Sequence, residues 1–152
     1  MGLKGKLVST TSIKSDGFVF HNLFKEPHHL SKICPDTIES VDLHSGQWGA
    51  VGAVTIWNFT MGGKKSVSIE MIEAIDEQNK SITYKVVEGD LADVYKSLKY
   101  IIKVDTNGED NLVTWTLEYE KKNENVPDPC ALMDVCVNVT KDIERHCLLV
   151  PN

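Results

Sequence analysis

Three of the four tyrosines carry the hydroxyl groups of this sequence that are best placed to act on a small organic molecule. Tyr84, Tyr100 and Tyr119 alternate with apolar residues in strand-like segments, and alternate residues of a strand share one face of a sheet. Thr55 and Thr140 add hydroxyls to the same predicted surface. A phenol can donate a hydrogen bond or a proton to a ligand oxygen. We therefore predict Tyr84 and Tyr100 as ligand contacts and as the proton donors of any catalysis.

Glycines recur at three-residue spacing in the segment HSGQWGAVGAV, at Gly46, Gly49 and Gly52. Because glycine permits close backbone approach, such a loop either turns a hairpin or lines a ligand entrance. No helix is predicted after the loop, and no Gly-Lys-Ser/Thr sequence follows it as in a P-loop. The spacing therefore argues against a phosphate site.

Other reactive groups lack the spacing that a catalytic or metal site requires. No two of His21, His28 and His29 have the three- or four-residue separation of helical metal ligands, and the four cysteines form no zinc-ligand pair. No Gly-x-Ser-x-Gly elbow indicates a hydrolase. We expect no metal and no cofactor, and we expect the histidines at the surface or at helix ends.

Carboxylates are predicted to face solvent. Glu70, Glu73, Glu88 and Glu118 fall on the predicted outer face of strands or at turns, where charged residues usually hydrate a sheet. One of them could act as a general base only if it faced the interior. The sequence pattern places no carboxylate there.

The charge and composition limit the partners and the compartment. The net charge is −6, and the adjacent lysine pairs Lys64-Lys65 and Lys121-Lys122 border turns or loops, whereas a nucleic-acid partner requires a clustered basic face. No apolar run has the length of a membrane span, and Met1–Ser12 lacks the apolar core of a secretory signal. We expect one domain over residues 1–152, forming a cytoplasmic monomer with reduced cysteines and without a nucleic-acid partner.

The order of the predicted elements indicates an α+β fold. Lys4–Ser12 is predicted as a strand, and short helices follow at Phe18–Phe24 and His28–Ile33. Period-two alternation in the segment 38–121 then predicts successive antiparallel strands, and a long amphipathic helix is predicted over Cys130–Leu149. The residues predicted to point inward are Thr55/Trp57/Phe59, Val67/Ile69/Met71, Ile82/Tyr84/Val86, Leu98/Tyr100/Ile102/Val104 and Val113/Trp115/Leu117/Tyr119. A packed core and a cavity lined by these residues have the same periodicity, so the pattern leaves both open.

Several separated motifs resemble one protein family. They are MGLKGKL at 1–7, IKSDG at 13–17, the glycine loop, VVEGDL at 86–91, GEDNLVTW at 108–115 and EYEK at 118–121. In this order, over the whole chain, they resemble the major latex protein-like proteins of plants, within the birch-pollen-allergen (pathogenesis-related class ten) superfamily. The resemblance implies a helix-grip fold: a seven-stranded antiparallel curved sheet around a long C-terminal helix, with two short helices after the first strand.

The resemblance also implies a large apolar cavity between sheet and helix, with the glycine loop as its gate or wall. Related proteins take up fatty acids, steroids and terpenoids there. The ligand contacts that we predict on this basis are Leu23, Leu30, Thr55, Trp57, Phe59, Ile69, Met71, Ile82, Tyr84, Val86, Tyr100, Ile102, Trp115, Leu117, Met133, Cys136, Val137 and Thr140.

Two functions are compatible with such a cavity. One is a carrier of a small hydrophobic metabolite. The other, implied by the resemblance, is a cofactor-free cyclase or isomerase of plant specialised metabolism, for example in iridoid (nepetalactol-type) cyclisation, because a cavity can hold a reactive intermediate in one conformer and exclude water. A plant defence protein that acts through protein contacts is a third hypothesis, for which no specific partner is indicated.

Overall fold

Seven antiparallel strands and four α-helices build the fold in the computed structural model, which describes residues 3–149. The strands are β1 Lys4–Ile13, β2 Ile38–Ser45, β3 Val54–Met61, β4 Lys64–Asp76, β5 Ser81–Gly89, β6 Tyr95–Asn107 and β7 Asp110–Lys121. The helices are α1 Gly17–Lys25, α2 Leu30–Ile33, α3 Asp90–Val94 and α4 Cys130–Leu149, with a 3₁₀ turn at Pro27–His29. The strands form one sheet in the order β1-β7-β6-β5-β4-β3-β2. The predicted α+β helix-grip architecture is confirmed.

Local signals set the ends of the first helix. The Asp16 carboxylate accepts hydrogen bonds from the backbone N–H groups of Phe18 and Val19, at 2.7 and 3.2 Å, and so caps α1. Pro27 follows α1 and begins the 3₁₀ turn, because proline fits the first helical position but not a helix interior. The one-turn helix α3 begins directly after β5 and was not predicted from the sequence.

The long helix α4 packs one apolar face against the concave side of the sheet. The residues it buries are Leu132, Cys136, Val139, Thr140 and Ile143. The indole Nε1–H of Trp115 on β7 donates a 2.7 Å hydrogen bond to Thr140 Oγ1, which itself donates to the Cys136 carbonyl oxygen at 2.9 Å. These buried bonds fix α4 relative to β7. No helix within residues 3–149 combines the length and the apolarity needed to cross a membrane.

A carboxylate fastens the other end of α4. Glu144 accepts hydrogen bonds from the backbone N–H groups of Lys14 and Ser15, at 2.5 and 3.1 Å, and from the Ser15 hydroxyl at 2.5 Å. These bonds join α4 to the link between β1 and α1. The helix is therefore held at two separate places, by β7 and by the β1–α1 link.

The turn of the β3–β4 hairpin determines which residues of its two strands share a face of the sheet. Gly62 and Gly63 have φ of 59° and 79°, which is the geometry of a two-residue type I′ turn, and Met61 therefore pairs with Lys64. In the register that this turn sets, the inward residues of β3 have polar partners on β4. These cross-strand pairs are Phe59 with Ser66, Trp57 with Ser68, and Thr55 with Glu70.

This register contradicts one part of the sequence interpretation. The set Val67/Ile69/Met71 was predicted to point inward, but Ser66, Ser68, Glu70 and Ile72 are the buried residues of β4. Directly paired residues share a face of a sheet, so the facing of β3 determines that of β4 in spite of the apolar residues on its outer side. Ile69 and Met71 are thus half-buried on the convex face. Their predicted inward facing is wrong, and their contact with a ligand stays a prediction.

We expect Thr140→Val to lower the free energy of unfolding by about 1–3 kcal/mol, because it leaves the buried Trp115 indole N–H without an acceptor. Urea unfolding measures the change. The matched control is Thr10→Val, which removes an exposed hydroxyl at 3.4 Å from that of Thr114 and should cost less than about 0.5 kcal/mol. Equal losses in the two variants would contradict the role given to the Trp115–Thr140 bond.

Candidate functional site

A small cavity lies between α4 and the concave face of the sheet. Its volume is about 40 Å³, which is room for a few water molecules. The residues that line it are Phe24, Ile38, Trp57, Phe59, Glu70, Tyr100, Trp115, Leu132, Val135, Cys136 and Val139. The interior is therefore largely packed by aromatic side chains, and the cavity is much smaller than the resemblance implied.

A buried carboxyl group is the principal polar feature of this cavity. Glu70 on β4 is 4% exposed. Its Oε2 accepts a 2.8 Å hydrogen bond from the Ser68 hydroxyl, and its Oε1 accepts a hydrogen bond from the Tyr100 hydroxyl. The prediction that Glu70 faces solvent is wrong, because its pairing with the inward residue Thr55 turns it into the cavity.

Burial dominates the electrostatics of this group. Desolvation raises the pKa of Glu70 to about 7, although the hydrogen bonds from Tyr100 and Ser68 act in the opposite direction. Among the residues that the structure describes, no Lys, Arg or His side chain lines the cavity. Burial, together with the charge of Glu70, raises the pKa of the Tyr100 phenol well above its ordinary value. Glu70 is therefore the group at this cavity that can gain or lose a proton near neutral pH.

Tyr84, predicted as a ligand contact and proton donor, is fully buried next to the cavity. Its hydroxyl donates a 2.5 Å hydrogen bond to the Phe24 carbonyl oxygen, and its ring stacks on that of Tyr100 with centroids 5.0 Å apart. Burial raises the pKa of Tyr84 well above its usual value. The Tyr84 hydroxyl thus ties α1 to the sheet, and the phenol that faces the cavity is that of Tyr100.

The other predicted contacts fall into three groups. Those that line the cavity are Trp57, Phe59, Tyr100, Trp115 and Cys136. Those buried in the core without lining it are Leu30, Thr55, Ile82, Tyr84, Val86, Ile102, Leu117 and Thr140. Leu23, Met133 and Val137 are half-buried outside the cavity wall. For all three groups, ligand contact stays a prediction.

Several lining residues were not selected from the sequence. They are Phe24, Ile38, Glu70, Leu132, Val135 and Val139. The available signal for Glu70 is the Gly62-Gly63 turn, because a two-residue hairpin fixes the partner of every residue on both strands. For Leu132 and Val139 the available signal is the helical periodicity of the predicted amphipathic segment Cys130–Leu149, because both lie on the buried apolar face of α4.

The glycine loop closes the turn between β2 and β3. Gly46, Gly49 and Gly52 have φ of 83°, 74° and 90°, and a Cβ at Gly46 would come within 2.9 Å of the Ala53 Cα. The loop does not line the cavity. Its Trp48 ring packs on His28, with centroids 4.1 Å apart. In this conformation the loop is a hairpin connection that lies against the 3₁₀ turn.

The histidines do not all lie where they were expected. His21 is 2% exposed within α1, with its Nε2 3.3 Å from Glu77 Oε2, which contradicts the expected surface or helix-end position. Burial lowers the pKa of His21. His28 is half-buried in the 3₁₀ turn beside Trp48, while His29 in the same turn is exposed.

Comparison with known proteins agrees with this architecture. The profile of the pathogenesis-related protein Bet v 1 family matches residues 2–149. The chain belongs to this family, among its major latex protein-like members. It is 43% identical over 149 residues to MLP-like protein 43 of Arabidopsis thaliana, covering 96% of this chain and 94% of that protein.

Solved structures extend the comparison. The crystal structure of major latex-like protein 151 from Panax ginseng superposes with a TM-score of 0.94 at 53% identity, covering 97% of this chain and 99% of that one. Norcoclaurine synthase from Thalictrum flavum, at 16% identity and a TM-score of 0.80, shares the fold, covering 98% of this chain and 89% of that one. The Bet v 1 fold is typical of proteins that bind small hydrophobic ligands.

We expect the stability of the wild type relative to Glu70→Gln to fall as the pH rises. The pKa of Glu70 is about 7 in the folded state and near 4.5 when the chain unfolds, so the folded state binds the extra proton between these values. Protonated Glu70 therefore stabilises the fold fully below about pH 4.5. This contribution falls as the pH rises from about 4.5 and is lost above about pH 7. The difference in unfolding free energy should change by about 3 kcal/mol between pH 4 and pH 8.

Urea unfolding at the two pH values tests this expectation. The control is Ile72→Val, which shortens a buried neighbour on β4 without removing a titrating group and should cost the same at both pH values. If Glu70→Gln changed the unfolding free energy by the same amount at both pH values, the pKa of Glu70 in the folded state would be ordinary, which would contradict this expectation.

Proposed function

We propose that this protein is a cytoplasmic monomer that binds a small hydrophobic metabolite, such as a terpenoid, steroid or fatty acid, between the sheet and α4. The observation that carries the proposal is the cavity wall, which is aromatic and aliphatic apart from the carboxyl of Glu70, the hydroxyl of Tyr100 and the thiol of Cys136. Each 100 Å² of apolar ligand surface buried there contributes about 2.5 kcal/mol. Such a wall provides affinity through shape, and its few polar groups set the orientation of the ligand.

The volume of the cavity limits how a ligand is held. About 40 Å³ accommodates a small head group but not a whole terpenoid or steroid. Leu132 also lines an apolar surface groove of about 180 Å³ with Met61, Leu91 and Val94, and Val135 also lines a groove of about 230 Å³ beside the Gly62-Gly63 turn. A larger ligand would therefore extend past Leu132 or Val135, with movement of the N-terminal half of α4.

The second candidate function is a cofactor-independent cyclase or isomerase of plant specialised metabolism, for example in iridoid (nepetalactol-type) cyclisation. The hydrogen-bonded pair of Glu70 and Tyr100 in an apolar cavity favours it, because a carboxyl with a pKa of about 7 can both accept and donate a proton at neutral pH. In this role Glu70 would act as acid or base, and Tyr100 would donate a hydrogen bond to a developing oxyanion. Tyr84 would support the ring of Tyr100.

Native mass spectrometry of protein freshly purified from its own tissue tests the binding function. We expect a bound small molecule, released on unfolding and taken up again by the refolded protein. A molecule recovered unchanged after incubation indicates a carrier. Its conversion, or an isomer ratio different from the protein-free control, indicates the enzyme, and Tyr100→Phe should then reduce the conversion. Complete absence of bound and of rebound molecules would contradict the proposed function.

We expect Val135→Phe to abolish retention of the bound molecule, because the larger side chain fills the cavity wall at its boundary with the outer groove. The matched control is Val137→Phe on the same helix, since Val137 is also half-buried but does not line the cavity. The same mass measurement compares the two variants, after circular dichroism has verified their folding. Retention by Val135→Phe, or equal loss in both, would contradict this site.

A further inference from the structure

The carboxyl of Glu70 accepts two hydrogen bonds from hydroxyl groups, and no cationic side chain of the described residues 3–149 pairs with it. Ser68 donates to one oxygen and Tyr100 to the other, an arrangement that suits the ionised carboxylate. Within residues 3–149, neither the ion pairs of the structure nor the cavity lining brings a basic group to Glu70. A buried carboxylate is costly unless a positive charge pairs with it. When Glu70 is ionised, the cavity therefore contains a negative charge that no described side chain neutralises.

Aromatic rings form the rest of the wall around this carboxyl. They belong to Phe24, Trp57, Phe59, Tyr100 and Trp115. Phe24 meets Trp115 edge to face at 5.3 Å, and the ring of Tyr100 lies 5.9 Å from that of Trp115. The faces of aromatic rings attract cations, and cages of such rings recognise ammonium groups. Anionic and aromatic groups thus converge on one small volume.

We propose that the cavity recognises the ammonium head group of a hydrophobic amine, with Glu70 as its counter-ion and the aromatic rings as its cage. This inference rests on the proposed binding function and narrows the ligand to a hydrophobic metabolite with a basic nitrogen. The volume of about 40 Å³ suits a head group rather than a whole molecule. The apolar body would lie past Leu132, towards the groove formed with Met61, Leu91 and Val94.

The proton balance distinguishes an amine from a neutral ligand. The groups that face Glu70 from the surrounding elements are Ser68 on β4, Tyr84 on β5, Tyr100 on β6 and Cys136 on α4. Burial raises the pKa of both phenols and of the Cys136 thiol, so all three are neutral near pH 7. Binding of an ammonium group therefore requires ionised Glu70, whereas a neutral ligand does not. A carboxylate ligand would meet repulsion.

Three probes of similar shape test the inference: 2-phenylethylamine, 2-phenylethanol and 3-phenylpropanoate. Binding is measured by NMR from the indole N–H signals of Trp57 and Trp115, both of which line the cavity. We expect the amine to bind most tightly and the carboxylate least. Because Glu70 has a pKa of about 7, the affinity for the amine should rise about 30-fold from pH 5.5 to pH 8, while that for the alcohol stays constant.

Variants test the ammonium site separately from the proposed binding of hydrophobic ligands, on which this inference rests. Glu70→Gln should weaken amine binding at pH 8 at least about tenfold and leave alcohol binding unchanged. Glu73→Gln is the matched control on the same strand, because Glu73 pairs with Lys99 at 3.0 Å and does not line the cavity. If the alcohol bound as tightly as the amine at both pH values, the ammonium site would be refuted and the cavity function retained. If none of the probes shifted either indole signal, both would be contradicted.

Discussion

The two-residue turn at Gly62-Gly63 is the constraint on which the interior of this protein depends. It pairs Met61 with Lys64, and the register that follows places Glu70 opposite Thr55 on the concave face. A shift by one residue would turn Glu70 outward and Ile69 and Met71 inward. The interior would then be wholly apolar at this point, as in an ordinary packed core. The turn therefore determines whether the space beneath α4 contains an ionisable group.

A buried carboxyl is a poor way to stabilise a protein. Burial disfavours the ionised form, and the donors from Ser68 and Tyr100 reduce this cost without removing it, since the pKa of Glu70 is still raised to about 7. The surrounding structure tolerates the group because α4 is held elsewhere, by the hydrogen bond from Trp115 on β7 to Thr140 and by the hydrogen bonds from the β1–α1 link to Glu144. Destabilising groups of this kind are expected at binding and catalytic sites.

Most of the fold follows from pattern, whereas the chemistry of the cavity does not. The alternation of β3, β5, β6 and β7 and the apolar face of α4 agree with the structure, because in these elements the apolar residues are also the buried ones. On β4 apolar character and burial do not coincide, because Val67 is exposed and Glu70 is buried. Hydrophobic periodicity fails there, because pairing with Trp57 and Phe59 decides the facing of the strand. Turn geometry would have identified Glu70, but side-chain packing, and with it the small volume of the cavity, follows only from the folded structure.

The most direct test of this account is a carbon-13 NMR titration of the Glu70 side-chain carboxyl, in the free protein and with saturating 2-phenylethylamine. We predict a midpoint near pH 7 in the free protein, since burial opposes ionisation, and a clearly lower midpoint with the amine, whose charge favours the carboxylate. A midpoint near the ordinary value of about 4.5 in the free protein, or one that the amine leaves unchanged, would contradict it.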